Sequence, residues 1–165
     1  MSLPVRAEAS KTDVKLAAWL ESAADAAREI AESALGASEL AWSGAAGEAL
    51  PGNLCGIYIP LMMDGAALQL GVLATREVCG ELASALLGGD DVQSDADVFD
   101  AVGEITNLIA GQFKMLLADQ INVRVGVPLA MKGRVFLLGG SRSIHGVLNV
   151  DQRAVWLVVT GTKTT

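Results

Sequence analysis

Residues 54–74 read LCGIYIPLMMDGAALQLGVLA. Two apolar runs, 54–62 and 66–74, flank Asp64-Gly65. An Asp-Gly pair between such runs is the strongest short-range signal for a β-hairpin, because tight hairpin turns need positive φ. Working outward, Thr75 can cap a helix running to about Leu87, with Val78, Leu82 and Leu86 repeating every four residues. Gly88-Gly89-Asp90-Asp91 ends it. Upstream, residues 11–35 carry Leu16, Leu20, Ala23, Ala27, Ile30 and Ala34 at helical spacing, with Glu21, Asp25, Arg28, Glu29 and Glu32 off that stripe. Ser10 or Thr12 can cap this helix, Gly36 suits its C-terminal end, and a strand follows at 39–43.

Downstream, a long helix spans about 97–118. Strands are then expected over 121–127, 134–138, 143–150 and 153–160. Pro128 closes the first, since proline cannot donate to a ladder. Val155-Trp156-Leu157-Val158-Val159 is apolar on both faces, which places that strand centrally. The expected fold is α/β (α+β): a mostly antiparallel sheet of about six strands against two long helices. The chain also repeats itself weakly. Shifted by 75 residues, Gly71-Val72-Leu73 falls on Gly146-Val147-Leu148, and Asp25, Glu29 and Gly36 fall on Asp100, Glu104 and Gly111. Glu32 falls on Asn107.

The 165 residues suit a single domain, with 1–10 flexible. Apolar residues make up 52% and aromatics 4%, so aliphatics and alanine must fill the core. The net charge of −7 and the lack of a basic run exclude a nucleic-acid footprint. Pro51, Gly52, Gly56 and Pro60 break the longest charge-free apolar stretch, which excludes membrane insertion there. The polar start, without an apolar signal core, implies a cytoplasmic protein. Cys55 and Cys79 fit no metal or redox spacing and read as small buried hydrophobes. His145, the only histidine, reads as a packed or rim residue. Met62, Met63, Met115 and Met131 lie in apolar runs and read as core; Trp19, Trp42 and Trp156 read as core or as a dimer seam.

Helix 97–118 carries the chemistry. At about 100° per residue, Val98, Val102, Ile105, Ile109 and Leu116 gather on one side, and Asp100, Glu104, Asn107, Gly111 and Lys114 on the other. Asn107 and Gly111 are poor helix formers, and a mid-helix glycine costs about 1 kcal/mol relative to alanine. Two such residues on one exposed line fit a surface approached closely by a partner. Glycine leaves room, and asparagine offers both a donor and an acceptor. Asp100 can cap or orient the helix start.

The segment from Asp100 to Gly111, DAVGEITNLIAG, resembles the signature helix of the CheC/CheX/FliY family of chemotaxis phosphatases. That signature is an acidic residue or Ser, Glu four later, Asn three after that, and Gly four beyond; all four positions match. Leu86-Leu87-Gly88 before the helix, and Ile121 to Pro128 with Gly133 after it, extend the resemblance over about 65–159. It implies a CheX-like enzyme removing the aspartyl phosphate of a phosphorylated CheY-like receiver domain. Asn107 would orient the attacking water, and Glu104 would pair with the receiver's phosphate-site lysine. Asp100 and Gly111 would contact the partner. The chain would need no cofactor of its own, Mg²⁺ being supplied by the response regulator. CheX-type members also pair through sheet edges, which implies a homodimer. Glu32, at the position matching Asn107, implies one site rather than two. The rival reading is a non-enzymatic adaptor that binds a receiver domain or flagellar-switch component through the same face. A purely structural scaffold is the third.

Overall fold

The computed structural model describes residues 11–44, 50–89, 94–135 and 141–162. The expectations for residues 1–10, the Ser10 cap and residues 136–138 lie outside these. Elements follow in the order α1 (Lys11–Leu35), β1 (Leu40–Ser43), β2 (Leu54–Met63), β3 (Ala66–Ala74), α2 (Arg76–Leu87), α3 (Asp95–Leu116), β4 (Val123–Val125), β5 (Leu129–Gly133), β6 (Ser141–Val150) and β7 (Arg153–Thr162).

The hairpin of β2 and β3 closes on Met63 opposite Ala66, with Gly65 at φ 77. Asp64 keeps a negative φ; both central residues are left-handed instead at the β6–β7 turn, Asp151 (φ 46) and Gln152 (φ 68). Asp151 holds that geometry because its carboxylate accepts from the backbone N–H of Ser38 (3.0 Å) and Glu39 (2.8 Å), tying the turn to the end of α1. Near the start of β2, Gly56 has φ 154, and a Cβ there would lie 2.1 Å from the Val72 carbonyl oxygen, so only glycine allows the two strands to approach this closely.

All the strand pairs are antiparallel, in the order β1-β6-β7-β3-β2-β4, with β5 also on β2. The sheet is seven-stranded because β4 covers one half of β2 and β5 the other. A strand that the sequence did not indicate spans Leu129–Gly133, where Met131 lies opposite Gly56. Strand β7 is central, between β6 and β3, as its two-faced apolar run requires.

The order is palindromic: β1 and β4 lie outermost, β6 and β2 next, β7 and β3 at the centre. The internal repeat therefore relates α1–β1–β2–β3 to α3–β4–β6–β7. Its register differs from the 75-residue shift, which lays β3 on β6; the sheet instead makes β2 (Leu54–Met63) the counterpart of β6 (Ser141–Val150).

The three helices cover one face of the sheet. Ala23, Ala24, Ala26, Ala27 and Ala31 of α1 are buried, and α1 packs against both α3 and strands β6 and β7. Ile105, Ile109 and Phe113 of α3 share this core with Ile59, Leu61, Val72 and Leu157. On the opposite face Leu54, Leu73 and Val158 are buried, with Tyr58, Met131 and Trp156 half-buried around them. Trp19 and Trp42 are half-buried against the main core.

Candidate functional site on helix α3

Helix α3 starts two residues earlier than the periodicity alone indicates, because Ser94 forms a capping box. Its hydroxyl accepts from the Asp97 N–H (3.1 Å), and the Asp97 carboxylate accepts from the Ser94 N–H (3.3 Å). Asp95 in the first turn pairs with Arg76 (2.7 Å) and with Lys132 of β5 (3.3 Å), fixing the helix start to α2 and the sheet edge. Capping thus falls to Ser94 and Asp97, and Asp100 stands in the second turn as an exposed side chain rather than a cap.

From there the inner face fills the core. Val98, Val102, Ile105, Ile109 and Phe113 are buried, and the Thr106 hydroxyl, also buried, donates to the Val102 carbonyl (2.8 Å). Leu116, expected on this face, is 43% exposed; Phe113 takes the place in the core as the helix ends.

The outer face is the expected stripe. Asp100, Glu104, Asn107 and Lys114 are exposed and Gly111 is half-buried. Glu104 and Asn107, three residues apart, stand about 5–6 Å from each other on one face. Among the described residues, Asp100, Glu104 and Asn107 have no hydrogen-bond or ion-pair partner. A Cβ added at Gly111 would meet no atom within 4 Å, so the glycine is not required by packing within the chain. On one flank lies α1, joined by the Gln112 amide donating to Glu29 (2.5 Å). The structure thus brings Asp100, Glu104, Asn107 and Gly111 onto one surface.

That surface also carries a residue expected in the core: Met115 is 71% exposed. Met62, likewise expected in the core, is 55% exposed on β2 between β3 and β4, whereas Met63 is buried. Helical periodicity does place Met115 on the exposed side of α3, and only its apolar neighbours suggested the core.

Other candidates are less telling. Cys55 and Cys79 are free and buried, their sulfurs 3.3 Å apart. Burial, and then the hydrogen bond with Cys55, push the Cys79 thiol up. His145 is half-buried opposite Val158. A groove along α2 is lined by Glu77, Gly80, Glu81, Ser84, Gly88 and Arg153, with Arg153 paired to Glu81; it includes none of the stripe residues. Among the described residues no group of three or more His, Cys, Asp or Glu is arranged to hold a metal ion, and no helix is long and apolar enough to cross a membrane.

A sequence profile described as "Chemotaxis phosphatase CheX" matches residues 61–145, from the end of β2 through α3 to β6. No curated protein matches the sequence significantly. Several solved structures share the fold. A CheX from Desulfovibrio desulfuricans aligns at TM-score 0.69 and 17% identity, over 86% of this chain and 97% of its own. A CheC-like protein from a Shewanella species aligns at TM-score 0.72 and 17% identity, over 87% and 96%. A chain of the CheX–CheY–BeF3–Mg²⁺ complex from Borrelia burgdorferi aligns at TM-score 0.67 and 17% identity, over 88% and 98%. The profile covers more than half of the sequence, and the whole sheet-and-helix arrangement agrees with it: the chain belongs to the CheX family of chemotaxis phosphatases.

Proposed function

We propose that this protein hydrolyses the aspartyl phosphate of a phosphorylated CheY-like receiver, with Asn107 and Glu104 as the catalytic residues and Asp100 and Gly111 as partner contacts. The observation that carries this reading is the exposed face of α3, where the Glu104 and Asn107 side chains project without partners among the described residues and Gly111 leaves open space beside them. Polar side chains held ready on a rigid helix suit a reaction whose catalysis is mostly positioning and electrostatics. Water attacks phosphorus, the P–O bond to the receiver's aspartate breaks, and inorganic phosphate leaves with the carboxylate restored. The Asn107 amide is neutral, so its oxygen can accept from that water without repelling the phosphoryl group. Glu104 pairs with a receiver lysine and fixes the register of docking. Mg²⁺ on the receiver supplies the positive charge for the phosphoryl oxygens. The Borrelia burgdorferi assembly, which contains a CheY and Mg²⁺, supports this division of labour.

The test is phosphate loss from a phosphorylated receiver with Mg²⁺. Wild type is expected to accelerate it, and Asn107→Ala to lose about 100-fold or more of that acceleration. Equal rates for Asn107→Ala and wild type would remove Asn107 from the mechanism. Wild type that binds the receiver without accelerating phosphate loss would make the protein an adaptor.

A further inference from the structure

Met115 is 71% exposed, the most of any large apolar side chain on α3. Scattered exposed hydrophobics need no explanation. Its position does. Eleven residues make three helical turns to within about 20°, so Met115 lies on the same line of α3 as Glu104, with Leu108 and Gly111 between them. It stands about 12 Å along the axis from Asn107, at about 1.5 Å per residue.

A standard protein–protein contact buries about 800 Å² on each partner, equivalent to a disc about 16 Å in radius. Any receiver centred on Asn107 therefore reaches Met115. Past Asn107 the stripe changes chemistry: half-buried Leu108, open Gly111 and exposed Met115 bring apolar surface to it, with exposed Lys114 as a charged rim beside Met115. Charged groups set register and specificity, while a buried apolar anchor supplies affinity. Methionine suits that role because its unbranched thioether adapts to an irregular pocket.

We infer that Met115 is the apolar anchor of the docking face, inserting into a hydrophobic depression on the receiver and setting its affinity without touching the reacting atoms. The inference rests on the receiver docking against α3, as proposed above. It separates two functions along one helix: the polar half acts on the phosphoryl group, and the C-terminal half holds the partner.

The experiment is steady-state phosphate release from a phosphorylated CheY-type receiver on which wild type acts, with thermal melting of each variant as a control. Met115→Ala is expected to raise KM about tenfold with kcat within about twofold and melting unchanged, because the side chain is exposed. Met115→Leu is expected to restore most of the affinity. An unchanged KM in Met115→Ala, with Asn107→Ala still losing kcat, overturns the anchor and leaves the phosphatase reading standing. A fall in kcat at constant KM overturns it as well, since Met115 would then act on the chemistry. If wild type accelerates phosphate loss from no receiver, both readings fall.

Discussion

Asp151 shows how much a single side chain can organise. One of its carboxylate oxygens accepts from the Ser38 N–H, the Glu39 N–H and the Ser38 hydroxyl, while its own N–H donates to the Glu39 carbonyl (2.9 Å). The end of α1 is thereby pinned to the β6–β7 turn. The backbone hydrogen bonds from Glu39 and then Ser38 hold its carboxyl below the usual carboxylate range. Asp95 is lowered too, by the hydrogen bonds from Arg76 and then Lys132. Both carboxyls have depressed folded-state pKa values. The stability they contribute is therefore present above the unfolded value, about pH 4, and is lost as the pH falls through the folded values. The melting temperature should drop on the acid side, starting near pH 4. Asp151→Asn keeps the shape but not the charge, and should flatten that acid limb. Melting curves at stepped pH measure this; parallel acid limbs for wild type and Asp151→Asn would show that the carboxylate is not a source of the pH dependence.

At the scale of elements, helix ends were legible where the residues that cap them are short polar side chains or glycine. Thr75 accepts from the Val78 N–H (3.3 Å), and Gly88 at φ 70 ends α2 as the sequence indicates. The start of α3 was less legible, because Asp97 rather than Glu or Gln completes the box with Ser94. Removing that cap should cost about 1 kcal/mol. Ser94→Ala should therefore lower the denaturation midpoint, yet leave the proposed phosphatase activity intact, since Glu104 lies more than two turns further along. A midpoint equal to wild type would mean that the first turn of α3 is held by the Asp95 ion pairs alone. Strand β5 was not legible at all. Leu129–Gly133 carries Lys132 and a terminal glycine and shows no apolar–polar alternation, yet it is the segment that reaches the free half of β2. Met115, by contrast, was legible: eleven residues past Glu104 is close to three turns, which puts it on the exposed side, and weighing its apolar neighbours above its helical phase is what placed it in the core.

At the scale of the whole molecule, the palindromic sheet sets α1 and α3 in corresponding places, so each could present a docking stripe. The stripe on α1 is acidic. Laying α1 on α3 at the 75-residue shift puts Glu32 where α3 has Asn107; moving by one heptad keeps the same face and puts Asp25 there. Both are exposed carboxylates. At about 4 Å and an effective dielectric near 20, one such charge repels a unit of phosphoryl charge by about 4 kcal/mol, close to a thousandfold in affinity. Neither register therefore gives α1 a neutral amide in the place proposed for Asn107. The duplicated architecture should carry one working site. Calorimetric titration of the chain with a phosphoryl-mimic-loaded receiver should saturate at one receiver per chain, and Asn107→Ala should leave no residual acceleration from the α1 side. Saturation at two receivers, or activity in Asn107→Ala that a further Asp25→Ala or Glu32→Ala change removes, would show that α1 works as a second site despite its carboxylates.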